Sequence, residues 1–165
     1  MTDINAGAIR APRFHYSIVC LAADGSERWR EEIDNLVTTP GKTDIVNQYF
    51  KGVAYTAAWY LGLKGSGVAT VTDTLASHAS WTEVTTYASA TLPAITFGTT
   101  ATGSNTATAV SYAINGTATV AGIFTSTNSA KGATTGVLYS AGDFASARSV
   151  LSGDTLNATL TVSVS

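Results

Sequence analysis

Charge is scarce in this chain. Only 12% of its 165 residues are Asp, Glu, Lys or Arg, against roughly 25% in an ordinary globular domain. The net charge is −2, and no run of Lys and Arg carries interleaved aromatics, which argues against nucleic acid as a partner. No stretch approaches the ~20 consecutive apolar residues of a membrane helix, so no membrane partner is expected. Cysteine is limited to Cys20. It sits in Ile18-Val19-Cys20-Leu21, where an intramolecular disulfide is impossible and burial as a small hydrophobe is expected. The opening residues MTDINAGAIRAP lack a charged start followed by an apolar run, so no secretory signal is expected. Synthesis and folding in a reducing cytoplasm fit all of this.

Thr, Ser, Ala and Gly take the place of charge. The end of the chain shows the consequence. Leu156, Ala158, Leu160, Val162 and Val164 alternate with Asn157, Thr159, Thr161, Ser163 and Ser165, the period of two that a half-buried strand requires. The length suits one domain, read as an N-terminal arm over residues 1–12 and a β-body over 13–165. A polar but uncharged surface resists self-association poorly, which mildly favours a protein that works packed against something.

Turn signals divide the body into short strands. Phe14 to Leu21 is apolar on both faces and is expected between layers. Asp24-Gly25 turns it into a second strand with Trp29 and Ile33 inward and Arg28, Arg30 and Glu32 outward. Thr38-Thr39-Pro40-Gly41 breaks the pattern. Ile45, Val46, Tyr49 and Phe50 then give one apolar face of a short helix over 42–51, stopped by Gly52. Tyr55 to Leu63 returns to strand, with Tyr55, Ala57, Trp59, Leu61 and Leu63 on one face. Asp73 to Ser80 is expected to make one or two helical turns capped by Asp73. Trp81 to Tyr87 alternates, Pro93 marks an edge or a bend, and Thr99 to Asn105 reads as a flexible polar loop. Strands are expected at Val110–Ile114, Thr117–Thr125, Gly136–Ser140 and Leu156–Val164, with Asn115-Gly116 joining the first two as a hairpin. Nine or ten short strands with turns every 8–12 residues argue for an all-β sandwich or barrel.

Reactive constellations are absent from the pattern. His15 and His78 are the only histidines. Asp73, Ser77 and Ser80 lie near His78 in sequence, but triad members converge from separate elements and no G-x-S-x-G occurs, so His78 is read as structural. One Cys and two distant His offer no zinc spacing. Glu31-Glu32 point to opposite faces of a strand and cannot share a substrate. Gly62-Leu63-Lys64-Gly65-Ser66-Gly67 lacks the phosphate-loop order and reads as a turn. No enzyme activity, metal or cofactor is therefore expected. Among the aromatics, Trp29 and Trp59 read as core. Tyr60 points opposite to Trp59 and is the better surface candidate.

Several runs carry a resemblance. They are Asp24-Gly25, Arg28-Trp29, Asn35-Leu36-Val37-Thr38, Gly41, Ala54 to Leu63, Asp73 to Glu83, Lys131 to Gly136, and Gly153-Asp154-Thr155-Leu156. Together they resemble a family of small tailed-phage virion proteins that includes head decoration, or cement, proteins. The resemblance implies a jelly-roll-like β-sandwich, to which the spacing above adds one or two short helices. It implies a virion protein assembled in the host cytoplasm as a homo-oligomer, a dimer or trimer. Its partner would be the major capsid protein, bound on the capsid exterior. An arm that orders on a neighbour fits such a role. The candidate interface residues are Ile4, Ile9, Arg10, Arg13, Tyr60 and Asn105. The rival reading is a tail-fibre or receptor-binding module that recognises host glycan through exposed aromatics.

Overall fold

The computed structural model describes residues 12–52 and 58–164. Strand β1 (Arg13–Leu21) and β2 (Glu27–Val37) form the first hairpin. Helix α1 (Thr39–Ile45) follows and runs on into a π-helical turn, Val46–Phe50. Then come β3 (Tyr60–Lys64), β4 (Glu83–Val84), β5 (Ser104–Thr106), β6 (Val110–Ala113), β7 (Ala118–Ser126), β8 (Leu138–Val150) and β9 (Thr155–Ser163). The chain is an all-β sandwich, and every strand pair is antiparallel.

Strand β2 turns the corner between the two layers. Its first part pairs with β1, which pairs with β9 and through it with β5 and β6. Its last two residues, Leu36 and Val37, pair with Ala141 and Ser140 of β8. That strand continues the second layer through β7, β3 and β4. The inner faces meet in a core of Tyr16, Ile18, Leu61, Tyr112, Ile123, Leu138, Leu156 and Leu160, all essentially inaccessible. Polar groups stitch the layers together. The Tyr16 hydroxyl of β1 shares hydrogen bonds with Ser140 of β8, at 2.9 Å, and with Thr125 of β7. The Tyr112 hydroxyl donates to the Leu61 carbonyl at 2.9 Å. Buried hydroxyls at such positions must be partnered, and here they are.

The alternation in β9 places Leu156, Ala158 and Leu160 in the core, as the sequence predicts. The first hairpin closes where expected, with Gly25 at φ +85° and the Asp24 carboxylate accepting from the Ser26 N–H at 2.9 Å. Other expectations are corrected. β1 is buried on one face only: Phe14, Tyr16, Ile18 and Cys20 point inward while His15 is exposed. Residues 73–80 form turns, not helix. The Asp73 carboxylate faces backwards, accepting from the Thr70 N–H and hydroxyl at 3.0 and 2.7 Å and from the Trp81 indole at 2.8 Å. Neither Asn115 nor Gly116 adopts positive φ, so no type I′ turn forms. β6 pairs with β9 instead of β7. The alternating stretch 81–87 contributes only the two residues of β4. Conversely, β8 extends for 13 residues, far beyond the expected Gly136–Ser140. Its small residues around Gly142 blank the period-two signal.

Candidate functional site

One end of the sandwich carries an apolar groove of about 460 Å³. Phe14, Ile45, Trp59, Tyr139 and Val162 line it, with Pro12 and Val164 on its walls and Phe97, Thr100 and Asn105 on the loop side. Local chemistry builds it. Thr38 caps α1, its hydroxyl accepting from the Gly41 N–H at 3.1 Å while donating to the Leu138 carbonyl. Gly41 sits so close to β8 that a Cβ there would lie 2.4 Å from the Tyr139 carbonyl oxygen. The helix is thereby seated on β8, and Ile45 reaches the groove. The Tyr139 ring forms the floor, with Phe14 at 5.2 Å and Trp59 edge-on at 4.7 Å between centroids.

The helix carries a second apolar feature beyond the groove. Val46, Tyr49 and Phe50 are 49%, 81% and 73% exposed, and the last two rings meet edge-to-face at 5.0 Å. The sequence places these side chains on one helix face, and the structure turns that face to solvent instead of to the core. Large aromatics left exposed on the helical segment that also lines an apolar groove mark an interaction surface more strongly than scattered surface leucines do.

The candidate interface residues fall in different places. Ile4, Ile9 and Arg10 lie outside the described residues, as do Tyr55 and Ala57 of the expected third strand. Arg13 is exposed and pairs with Asp34 at 2.7 Å. Asn105 lines the groove, but its amide is committed to its own loop. It accepts from the Gly98 N–H at 3.0 Å and donates to the Gly98 carbonyl at 2.9 Å and the Thr100 hydroxyl at 2.8 Å. That network, with the Ala101–Ser104 bridge, makes the expected flexible loop a closed hairpin leading into β5. Tyr60 is half-buried and packs on the core, because the Ala94 segment bridges the side of β3 away from β7. Trp29 and Trp59, read as core from the sequence, are only half-buried and pack against the edge of the core. The root of the N-terminal segment and the 99–105 loop, far apart in sequence, do converge on this groove.

Several described ionisable groups are engaged in structural contacts. His78 stacks on Trp81 at 4.0 Å and its Nδ1 lies 3.0 Å from the Trp81 carbonyl. Ser77 and Ser80 bond elsewhere, through the Ser77 N–H to Thr74 and the Ser80 hydroxyl to the Val68 carbonyl. Burial works against the Asp73 carboxylate, but the donors from Thr70 and Trp81 outweigh it and hold its pKa below the ordinary carboxylate value. Burial raises the pKa of Glu83, opposed by the Gly132 N–H and Lys131. His15 on β1 presents one ring nitrogen to Glu32 at 2.8 Å and the other to Asp34 at 3.1 Å. Cys20 is fully buried, and burial with the nearby Asp154 carboxylate pushes its thiol up to about 11. A cluster of three or more His, Cys, Asp or Glu able to hold a metal does not occur among the described residues.

One interior charge escaped the sequence reading. Lys64, placed there in a turn, ends β3 with a fully buried side chain. It crosses Gly122 of β7 to reach Asp143 of β8 at 2.5 Å, the three residues being aligned across adjacent strands. It also donates to the Gly65 carbonyl at 3.1 Å and to that of Gly67. All three ammonium protons thus have acceptors. A signal existed: in the charge-poor part of the chain a lone Lys within an apolar strand and a lone Asp among small residues invite pairing.

No protein-family model matches the chain, and no curated protein is significantly similar to it in sequence.

Proposed function

We propose that this protein is a non-enzymatic virion component, a capsid decoration protein that adheres to the outside of the major capsid shell as a small homo-oligomer. The observation that carries the reading is the apolar end of the sandwich, where Ile45 of α1 lines the groove and the same helical segment runs on to the exposed Tyr49–Phe50 pair. A decoration protein contributes only binding energy, so it needs a rigid body and a surface worth burying. Burying two large aromatic side chains contributes about 1.5–3 kcal/mol each, and aromatic anchors of this kind dominate protein interfaces. The stitched sandwich supplies the stiffness, so little ordering entropy is spent on the body when it docks. The phage assignment itself rests on the sequence resemblance.

Cryo-electron microscopy of purified particles tests this reading. The expected map shows the sandwich on the outer shell with its groove end against capsid subunits. Density at the tail tip, with Tyr49 and Phe50 turned to solvent or to glycan, would replace it with the receptor-binding reading.

A further inference from the structure

We propose that Asn115 is a site of spontaneous self-modification, at which the Gly116 backbone nitrogen closes on the Asn115 side chain and leaves a mixture of aspartate and isoaspartate. Water is the only co-reactant. Base removes the Gly116 amide proton, and the nitrogen attacks the Asn115 carboxamide carbon. The bond from that carbon to its own amide nitrogen breaks, and the nitrogen leaves with a proton as ammonia. Water then opens the resulting five-membered imide. Opening at the side-chain carbonyl gives aspartate. Opening at the main-chain carbonyl gives isoaspartate, with the chain now running through the side-chain carbons.

Asn115-Gly116 is the chain's one Asn-Gly pair, and a glycine has no Cβ to shield its nitrogen. The structure leaves both reacting groups available. Asn115 is exposed, and neither its side chain nor the Gly116 N–H has a hydrogen-bond partner among the described residues. The type I′ turn that would tie the pair into a hairpin does not form. The pair lies instead in a bend between two anchored ends. Ile114 donates to the Asp154 carbonyl and accepts from the Gly153 N–H, both at 2.9 Å, and Ala118 opens β7 opposite Val150. Asp24-Gly25 could close the same ring by losing water, but its groups are held. The Gly25 N–H donates to the Ala22 carbonyl at 2.9 Å. The Asp24 carboxylate accepts from the Ser26 hydroxyl at 2.7 Å and the Ser26 N–H at 2.9 Å, which keep it ionised and a poor electrophile. The Asn105 and Asn128 amides are likewise bonded within their loops. Conversion at Asn115 adds a negative charge to a charge-poor chain, and its isoaspartyl form lengthens the link between β6 in one layer and β7 in the other.

The test ages the folded, full chain at neutral and at mildly alkaline pH. Peptide mapping times the conversion at each asparagine, and methyl transfer by an isoaspartate-specific methyltransferase counts the isoaspartate. Asn115 is expected to convert at least fivefold faster than Asn105 or Asn128, to give both products, and to react faster as pH rises. Asp24 is expected to stay unchanged in the folded protein and to isomerise once urea releases it. Asn115→Gln keeps a carboxamide but needs a six-membered ring, so it should lose the isoaspartate signal. Equal rates at the three asparagines would overturn the proposal. So would aspartate without isoaspartate at position 115, which is the mark of direct amide hydrolysis. An isoaspartate signal undiminished in Asn115→Gln would place the chemistry elsewhere and overturn it too.

Discussion

Removing the carboxylate of Asp143 strands a charge. Lys64 is 0% exposed and Asp143 33%, so Asp143→Ala leaves an ammonium with two carbonyl acceptors and no counter-charge in an interior that water does not reach. Breaking a buried ion pair from one side costs about 3–5 kcal/mol. The one-third exposure of Asp143 places this case near the lower end, at about 3 kcal/mol. Asp143 also accepts from the Ala69 N–H at 3.0 Å, so the 65–82 loop loses one of its ties to the sheet in the same variant. For a domain of this size about 3 kcal/mol lowers Tm by roughly 6–12 °C. The converse change, Lys64→Met, leaves a carboxylate that water can still reach and an apolar side chain over Gly122. It is expected to cost less, about 1 kcal/mol. Urea unfolding and calorimetry of both variants measure the asymmetry. If Lys64→Met is as damaging as Asp143→Ala, or if Asp143→Ala costs under about 1 kcal/mol, the account of this pair is wrong.

Gly67 adopts φ +104°, and a Cβ there would lie 1.6 Å from the Ser80 carbonyl oxygen. Gly67→Ala should therefore cost about 2–4 kcal/mol in urea unfolding. Tyr16→Phe removes the hydroxyl that ties β1 to β7 and β8, yet Ser140 can still donate to Thr125 at 3.3 Å. The expected loss is about 1–2 kcal/mol. Burial pushes the Tyr16 phenol up to about 12, with smaller opposing contributions from Ser140, Thr125 and Asn35. Burial raises Tyr87 and Tyr112 in the same direction. A folded-state pKa above the unfolded ~10 means these groups contribute fully below pH ~10, and that contribution is lost as pH rises through the folded values. Stability should fall steeply in alkali, and Tyr16→Phe should flatten the slope by one proton's worth between pH 10 and 12. A flat profile to pH 12 would refute this.

The parts of the fold that were legible share a cause. β9 and the Asp24-Gly25 hairpin carry their signal locally, in alternation and in a positive-φ glycine. The long β8 was hidden because Ala141, Gly142, Ala145 and Ala147 fill strand positions without a large side chain to alternate. Its inner-face glycine is needed there, since a Cβ at Gly142 would collide with the Asn35 side chain at 1.8 Å. Such close approach between strands is a tertiary fact. The pairing of β6 with β9 is another, since Asn115-Gly116 looks locally like a hairpin and the register with Leu156 and Ala158 decides otherwise. At the candidate site, the apolar helix face was readable from spacing, but its exposure was not. A periodic stripe says that a face will be covered, and it is silent on whether the cover is the core or a partner. The groove was invisible for a related reason. Its walls come from Phe14, Ile45, Trp59, Tyr139 and Val162, brought together only by the sandwich.

The central claim is that the molecule adheres through its apolar end. Tyr49 and Phe50 are exposed on the helix that flanks the groove, so Tyr49→Ser with Phe50→Ser should leave the unfolding curve within about 0.5 kcal/mol of the parent. Co-sedimentation of this variant with capsid shells lacking the protein is the most direct measurement. The account predicts at least a tenfold weaker attachment than the parent at equal protein concentration. Attachment equal to the parent, by a variant that is fully folded, would contradict it.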